Sequence, residues 1–331
     1  EQVWAKVGSA TRVPIKAFPV WQKGKCRRCD DGARSMLNST TSRSEKLVCS
    51  SIDQIVALIV ALRDQGVSSL QGWAIDELKA YRQIGILPSH RRYAVVALMN
   101  PSDGLVYYYT MTGHSFGFTS AVYNYNRRPR ALNEALVKEF KITTDFYHDD
   151  RWGIEPRSTI QSSFETVDAV THMIGIMMQS EKAQGPPLIW KKDEKDEWVE
   201  VPNPNCKGKQ PWKDPEGLGI GFDLDGLQVK IKDGRRADLK AEIQDVIKRR
   251  TLSPGQAAKL KGRLFFLTCS LFGRIGRAFM RPLSERQYEF QYEKRRVLQS
   301  DKYKINDAIE DALKSWLMIL ERGRPRPIRE L

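Results

Sequence analysis

The sequence predicts an α+β chain with an antiparallel, β-rich centre and an all-helical C-terminal part. Three observations carry this. Between residues 71 and 182, β-prone runs bounded by turn residues alternate with stretches whose apolar residues recur at helical spacing. From Ala237 onward the helical period continues with almost no strand signal. In the middle lies TTDFYHDDRWGIEP, Thr143 to Pro156, where two β-prone runs, Thr143–His148 and Arg151–Ile154, flank Asp149 and Asp150 at the expected tip of a hairpin.

Adjacent carboxylates at a tight turn repel, so the pair costs stability unless a cation or water screens it. Mg2+ is the hard, oxygen-liganded cation that suits it; a solvated turn is the plainer alternative. The hydrophobic content of 41% and charged content of 28% are those of a globular chain, and 331 residues suffice for two or three subdomains. No apolar run approaches the roughly 20 residues of a membrane span, and EQVWAKVGSATR at the N-terminus has no apolar leader core. The expectation is an intracellular protein of the cytoplasm or nucleus with no membrane partner. The missing initiator Met leaves room for a longer polypeptide. Five cysteines, an odd number, point to a reducing compartment rather than a disulfide framework. Cys26-x-x-Cys29 is half of a zinc site with no second half at ligand spacing, so structural thiols are the favoured reading.

The net charge of +14 is unevenly placed. Residues 1–50 hold ten Lys/Arg against four Asp/Glu, and residues 251–331 hold seventeen against nine, so the two ends account for the whole excess. Basic ends around a neutral, acid-bearing centre suit a polyanion gripped from both sides.

Taken in order, residues 12–38 set Lys23, Lys25, Arg27, Arg28 and Arg34 around an Asp30-Asp31-Gly32 turn, an extended segment able to aim cations at a triphosphate. Ile52, Ile55, Val56, Leu58, Ile59 and Leu62 share one face of a helix that Ser51 and Gln54 would cap and Gly66 would end. Gln71–Ile75 is a strand that places Asp76 at its end, with Ala80 and Tyr81 one turn on. Tyr93–Asn100 and Leu105–Met111 form a hairpin about Pro101–Gly104. The small-residue loop Gly113–Ala121, loose enough to approach a flat ligand, runs into a helix to about Phe140 that Pro129 should kink or interrupt. After the Asp-Asp hairpin, a helix is expected from about Ser163 to Lys182, with Met173, Met177 and Met178 in the core. Gly185–Lys213 reads as a surface insertion with a charged hairpin. Leu218–Leu224 and Leu227–Ile231 form another hairpin. Helices follow at about 237–250, 254–280, 283–298 and 304–321, the second carrying Lys259, Lys261, Arg263, Arg274 and Arg277 and opening Ser253-Pro254. The tail 322–331 reads as a linker.

The centre thus runs in a β-α-β-β-α-β-like order that would set Asp76 beside Asp149 and Asp150. At this point the residues resemble reverse transcriptases of retroelements, closest to the DIRS-like and long-terminal-repeat retrotransposon types. Asp76 with Ala80-Tyr81 is similar to the first palm motif. Ser115-Phe116-Gly117-Phe118-Thr119-Ser120-Ala121 resembles the template-contacting motif, and Tyr147-His148-Asp149-Asp150 the Tyr-x-Asp-Asp box. The gaps, 41 residues from Asp76 to Gly117 and 32 on to Asp149, fit a compact palm. Lys25-x-Arg27-x-x-Asp30-Asp31 with Ser35 and Asn38 resembles the triphosphate-holding finger segment. Leu218-Gly219-Ile220-Gly221-Phe222 resembles the primer-gripping hairpin. Some positions depart from the pattern: His148 stands where an apolar residue is usual, and Val122 where Pro is common.

The resemblance implies a right-hand polymerase: fingers over residues 1–70, a ferredoxin-like palm with an antiparallel sheet over 71–235 (a fingers hairpin at about 93–112 and an insertion at about 185–213), a helical thumb over 236–321 and the tail. It implies an RNA-directed DNA polymerase that extends a primer on an RNA or DNA template with dNTPs. Asp76, Asp149 and Asp150 would bind two Mg2+ ions, with Mn2+ as a substitute, and Lys182 would donate a proton to the leaving pyrophosphate. Lys25, Arg27, Tyr81, Phe116 and Gly117 would bind the nucleotide, with Tyr81 excluding a 2′-hydroxyl. Leu218, Gly219 and Phe222 would grip the primer, and Lys259, Arg263, Arg274 and Arg277 the duplex. Related elements continue into a ribonuclease H domain, whose acidic cluster is absent from these residues. The alternative is a decayed or domesticated palm that binds nucleic acid without catalysis. Oligomeric state is not legible in the sequence.

Overall fold

The structure, a computed structural model, describes residues 14–22, 24–42, 44–206, 211–213, 215–217, 220–289 and 303–328. It has the mixed α+β architecture the sequence predicts. Strands β1 (Ile15–Gln22) and β2 (Lys25–Asp30) form a hairpin about Gly24, followed by helix α1 (Ile52–Asp64) and β3 (Leu70–Asp76). Then come β4 (Val95–Met99), β5 (Val106–Thr110), α2 (Thr119–Lys138), β6 (Thr144–Tyr147), β7 (Asp150–Pro156) and α3 (Ile160–Met173). The hairpin β8 (Leu188–Lys192) with β9 (Trp198–Pro202) precedes β10 (Glu216–Gly217), β11 (Ile220–Asp223) and β12 (Gln228–Lys230). Helices α4 (Asp233–Arg249), α5 (Pro254–Leu267), α6 (Arg281–Tyr288) and α7 (Asp307–Arg322) lead to β13 (Arg326–Pro327).

The chain divides into two compact units, residues 1–51, 74–153 and 161–207 in the first, and 52–73, 154–160 and 208–331 in the second. In the first, a four-stranded sheet has the order β2-β1-β4-β5, with β1 parallel to β4 and the other pairs antiparallel. Its core gathers Ile15, Ile86, Ala94, Val96, Phe118 and Ala121, with Tyr81 packed against it. β3, β7 and β6 form a three-stranded sheet in that order. In the second unit, α4, α5 and α7 enclose a core of Leu239, Ile243, Leu260, Leu264, Leu313 and Trp316. Gly276 is required there: a Cβ would lie 2.2 Å from the Trp316 ring.

Several local expectations are met for the reasons given. The stripe Ile52, Ile55, Val56 and Ile59 is the buried face of α1. Pro254 opens α5, and Ser253 with Gln256 closes a capping box in front of it.

Others are corrected. Pro129 does not interrupt α2, which runs through it for 20 residues. The helix expected to reach Lys182 stops at Met173, because Gly175 takes a left-handed φ of 74° and lets Ile176 N–H and Gly175 N–H close on the carbonyls of Thr171 and His172. Met173, 82% exposed, and Met177, 53% exposed, therefore lie outside the core. The helix expected over 254–280 ends at Leu267, with left-handed backbone at Gly273 and Arg274 beyond it. The tail at 322–331 is not a free linker in its described part: β13 pairs with β12, and Arg326, buried, bonds Asp53 at 2.7 Å. Cys26 and Cys29 sit three apart on β2, hence on opposite faces, so they cannot share a metal. No described helix is long and apolar enough to cross a membrane.

Candidate active site

The hairpin that carries the aspartates turns one residue earlier than the sequence suggests. Tyr147 pairs with Asp150 across β6 and β7, so the two turn residues are His148 and Asp149, and Asp150 opens β7. His148 takes the left-handed conformation with φ 54°, costly for a residue with a Cβ unless its surroundings hold it. They do. Asn126 Nδ2 lies 3.0 Å from His148 Nδ1, Cys49 Sγ 3.8 Å from Nε2, and the Tyr125 hydroxyl donates to the His148 carbonyl at 3.1 Å. Burial keeps the imidazole below its ordinary pKa, against the pull of the neighbouring Asp149. An apolar residue could not make these ring contacts, which accounts for histidine at this position.

Asp76 arrives from the end of β3. The backbone N–H of Glu77 donates to the Asp149 carbonyl at 2.9 Å, which sets the strand end beside the turn. The segment after α3 lies against the same strand end: Leu78 N–H donates to Met177, Gln179 N–H to Asp76, and Ala74 and Gln184 exchange both bonds. Gln83 fixes that segment from its side chain, donating to the Leu78 and Met177 carbonyls and accepting from Met177 N–H. Lys182 is thereby delivered to Asp76, Nζ to Oδ2 at 2.8 Å.

The structure thus brings Asp76, Asp149, Asp150 and Lys182 together. Burial first, then a hydrogen bond to Asp76 and the negative charges of Asp76 and Asp149, push the Asp150 carboxyl up to about 7, with Lys182 pulling the other way. Three oxygen acids whose mutual repulsion is only partly relieved match the donor chemistry of a hard divalent cation. Among the described residues, no group of three or more His, Cys, Asp or Glu side chains closes into a finished ligand set. In this arrangement the Lys182 ammonium supplies part of the compensation.

Beneath the turn lies a charged network that sequence reasoning did not anticipate. Glu77 is buried and ion-paired to Arg128, whose guanidinium lies 5.5 Å from the Tyr125 ring centroid. Arg151, 2% exposed, donates to Asn133 Oδ1 and to the Pro129 carbonyl. Burial pulls its guanidinium down to about 10 while raising the Glu77 carboxyl. A signal was present: Arg151 stands in a strand buried along most of its length, and Arg128 lies three residues from Tyr125 and four from Leu132 on the buried face of α2.

The expected nucleotide-contacting residues fall as follows. Tyr81 is half-buried, its ring 5.0 Å from both Phe116 and Tyr125 in edge-to-face contacts. Phe116 is 46% exposed. Gly117 has φ 101°, and a Cβ there would lie 1.9 Å from the Asp30 carbonyl oxygen. Asn38 clasps the loop, donating to the Gly117 carbonyl and accepting from Thr119 N–H, both at 2.8 Å. The loop and the finger segment are thus one unit of structure. Lys25 opens β2 opposite Gln22, and Arg27 is exposed on the same strand. Arg28 instead turns to Asp30, which Arg82 also approaches.

In the second unit, Phe222 is buried at 2% exposure and packs within the sheet, so its ring is not a surface grip. Leu218 and Gly219 lie outside the described residues. Lys259 and Arg277 are exposed, with Arg277 5.2 Å over the Phe265 ring, whereas Arg263 is paired with Glu242 and Arg274 with Asp53. The four cations do not share one helix: Lys259 and Arg263 are on α5, Arg274 and Arg277 beyond its end.

No family model and no curated protein matches the chain. Among solved structures, a foamy viral protease-reverse transcriptase in complex with double-stranded DNA is similar, at 14% identity and a TM-score of 0.60, over 94% of this chain and 44% of that one. The chain has a reverse-transcriptase-like fold. It spans less than half the length of that protein.

Proposed function

We propose that the chain is an RNA-directed DNA polymerase, extending a primer 3′ end with dNTPs by phosphoryl transfer. The observation that carries the reading is the meeting of Asp76, Asp149 and Asp150 with Lys182 at the end of β3. Asp76, Asp149 and Asp150 would hold two Mg2+ ions, or Mn2+, which when bound lower the pKa of the attacking hydroxyl and neutralise the leaving pyrophosphate. Lys182 would give a proton to the leaving group once it is released from Asp76. Tyr81, held edge-on by Phe116 and Tyr125, would stand beneath the sugar and exclude a 2′-hydroxyl. Arg27 and Lys25 would meet the triphosphate, and Gly117 would let the backbone approach the nascent pair. Leu218, Gly219 and Phe222 would make up the primer-gripping hairpin, with Phe222 as its buried support, and Lys259, Arg263, Arg274 and Arg277 the duplex contacts.

In this reading residues 1–70 with the hairpin at 93–112 are fingers, 71–235 palm and 236–321 thumb. The retrotransposon, DIRS-like origin rests on the sequence motifs, as do a cytoplasmic or nuclear site of action and a ribonuclease H domain further along a full polypeptide. One observation favours the competing reading, a palm that binds nucleic acid without catalysis: Lys182 already occupies Asp76, and the described acids form no finished ligand set. Primer extension on an RNA template with Mg2+ separates the two. Template-dependent incorporation lost in Asp149→Asn supports the polymerase; primer–template binding without incorporation in the intact chain supports the binder.

A further inference from the structure

The stretch that begins at Gly185 reads in the sequence as a surface insertion, yet the residues after β9 close back on the lysine of the carboxylate cluster. Lys182 stands in a single 3-10 turn, Ser180–Lys182. Two backbone bonds close that turn, Lys182 N–H to the Gln179 carbonyl and Ala183 N–H to the Ser180 carbonyl, each at 2.9 Å. A turn this short has little stiffness of its own. Pro186 and Pro187 follow it and carry no N–H. The carbonyls around Lys182 therefore need donors from elsewhere in the chain.

They find them in Asn203-Pro204-Asn205. Asn203, 4% exposed, donates from Nδ2 to the Ala183 carbonyl at 3.0 Å and to the Pro186 carbonyl at 2.6 Å. Its Oδ1 accepts from the Asn205 N–H at 3.0 Å, an Asx turn that opens the 3-10 turn Pro204–Cys206 and aims the second side chain. Asn205 Nδ2 then bridges the carbonyls on either side of Lys182, Glu181 at 3.0 Å and Ala183 at 3.1 Å. Carbonyls only accept, so it is the amide nitrogen of each asparagine that must face them. One exposed side chain thus spans the residue whose ammonium lies 2.8 Å from Asp76. Exposed hydrogen bonds add little to folding, so the main effect of this bridge is on where Lys182 stands.

We infer that Asn205, aimed by Asn203, is a positioning residue for Lys182, and that the end of the insertion is the brace that holds this ammonium against the carboxylates. The consequence for proton delivery rests on the polymerase reading above; the brace itself does not.

Reductive 13C-methylation of the full chain in EDTA, with the Lys182 signal assigned through Lys182→Arg, reports the ammonium directly. In the wild type that signal should stand apart from those of solvated lysines and join them in Asp76→Asn. Asn205→Ala should move it the same way. So should Asn205→Asp, which keeps the shape but meets the carbonyls with acceptors. A signal that never stands apart, or that stays unmoved in either variant, overturns the inference. So does a variant that fails to fold, since Asn205 would then hold the fold and not the lysine. Primer extension supplies the second arm: Asn205→Ala should lower kcat about tenfold while the KM for dNTP stays within about twofold. Combined with Lys182→Ala it should cost nothing further, because a donor that is gone cannot be misplaced. Losses that add in full overturn the role. If the wild type extends no primer, the polymerase reading fails and the Lys182 signal alone decides the brace.

Discussion

Lys182 Nζ lies 2.8 Å from Asp76 Oδ2, although 106 residues of chain separate them. The contact exists because Gly175 stops α3 early and Gln83 pins the following segment against the end of β3. A cation is thereby built into a cluster of acids that would otherwise repel. The pair is half-exposed, so its own contribution is small, about 0.2–1 kcal/mol. Replacing Lys182 with Ala should lower Tm slightly at pH 8 in EDTA, and added Mg2+ should restore it. Restoration by NaCl at matched ionic strength instead would mean general screening, with no site for the ion.

Asp150 gives the acids a pH signature. Its folded-state pKa, about 7, lies above the ordinary carboxylate value. The folded protein therefore binds the proton more tightly than the unfolded chain, and this contribution to stability is full at about pH 4 and lost as pH rises through 7. Asp150→Asn, permanently neutral, should match the wild type near pH 4 and exceed its Tm at pH 8 without divalent ions. Equal Tm values across that window would show that Asp150 is not held protonated.

The loop at Gly117 makes a backbone prediction. A Cβ there meets the Asp30 carbonyl at 1.9 Å, and backbone cannot swing aside as a side chain can. Gly117→Ala should cost roughly 2–4 kcal/mol in denaturant unfolding. Gly104→Ala is the control: it also has positive φ, at 69°, but nothing lies within 4 Å, so it should cost only about 1 kcal/mol. Equal losses would mean that the close approach is not maintained in solution.

The buried network under the turn should be stiff. Glu77→Gln leaves Arg128 and the buried Arg151 without their carboxylate, and uncompensated buried charge costs about 3–5 kcal/mol. Urea unfolding measures it, and a loss below 1 kcal/mol would show that water reaches these groups.

These tests also mark what the sequence could and could not say. The hairpins, the stripe of α1 and the strand that ends at Asp76 were legible, because apolar period and turn residues are local signals. The exact turn was not: Tyr147 pairing with Asp150 moves the tip to His148-Asp149, and register depends on the partner strand. Glu77, Arg128 and Arg151 escaped notice because a buried charge is recognisable only with its partners, which come from three separate elements. Arg326 was hidden in an apparent linker for the same reason, its carboxylate Asp53 lying at the far end of the second unit's sequence. Gly175 and Gly273 were visible helix-breakers that the longer apolar period outweighed.

Tyr81 tests substrate choice. In the proposed polymerase, Tyr81→Ala should raise ribonucleotide incorporation by tenfold or more relative to dNTPs, measured as the ratio of kcat/KM values. An unchanged ratio would remove the steric role and leave Tyr81 as packing for the Ile15, Val96 and Phe118 core.

The central claim is that Asp76, Asp149 and Asp150 form the metal site. Mn2+ binding followed by electron paramagnetic resonance, with primer–template and dNTP present, tests it most directly. Two bound ions per chain, lost in Asp149→Asn while primer–template binding persists, is the predicted result. No ordered Mn2+ in the wild type, or the same two ions in the variant, would contradict it.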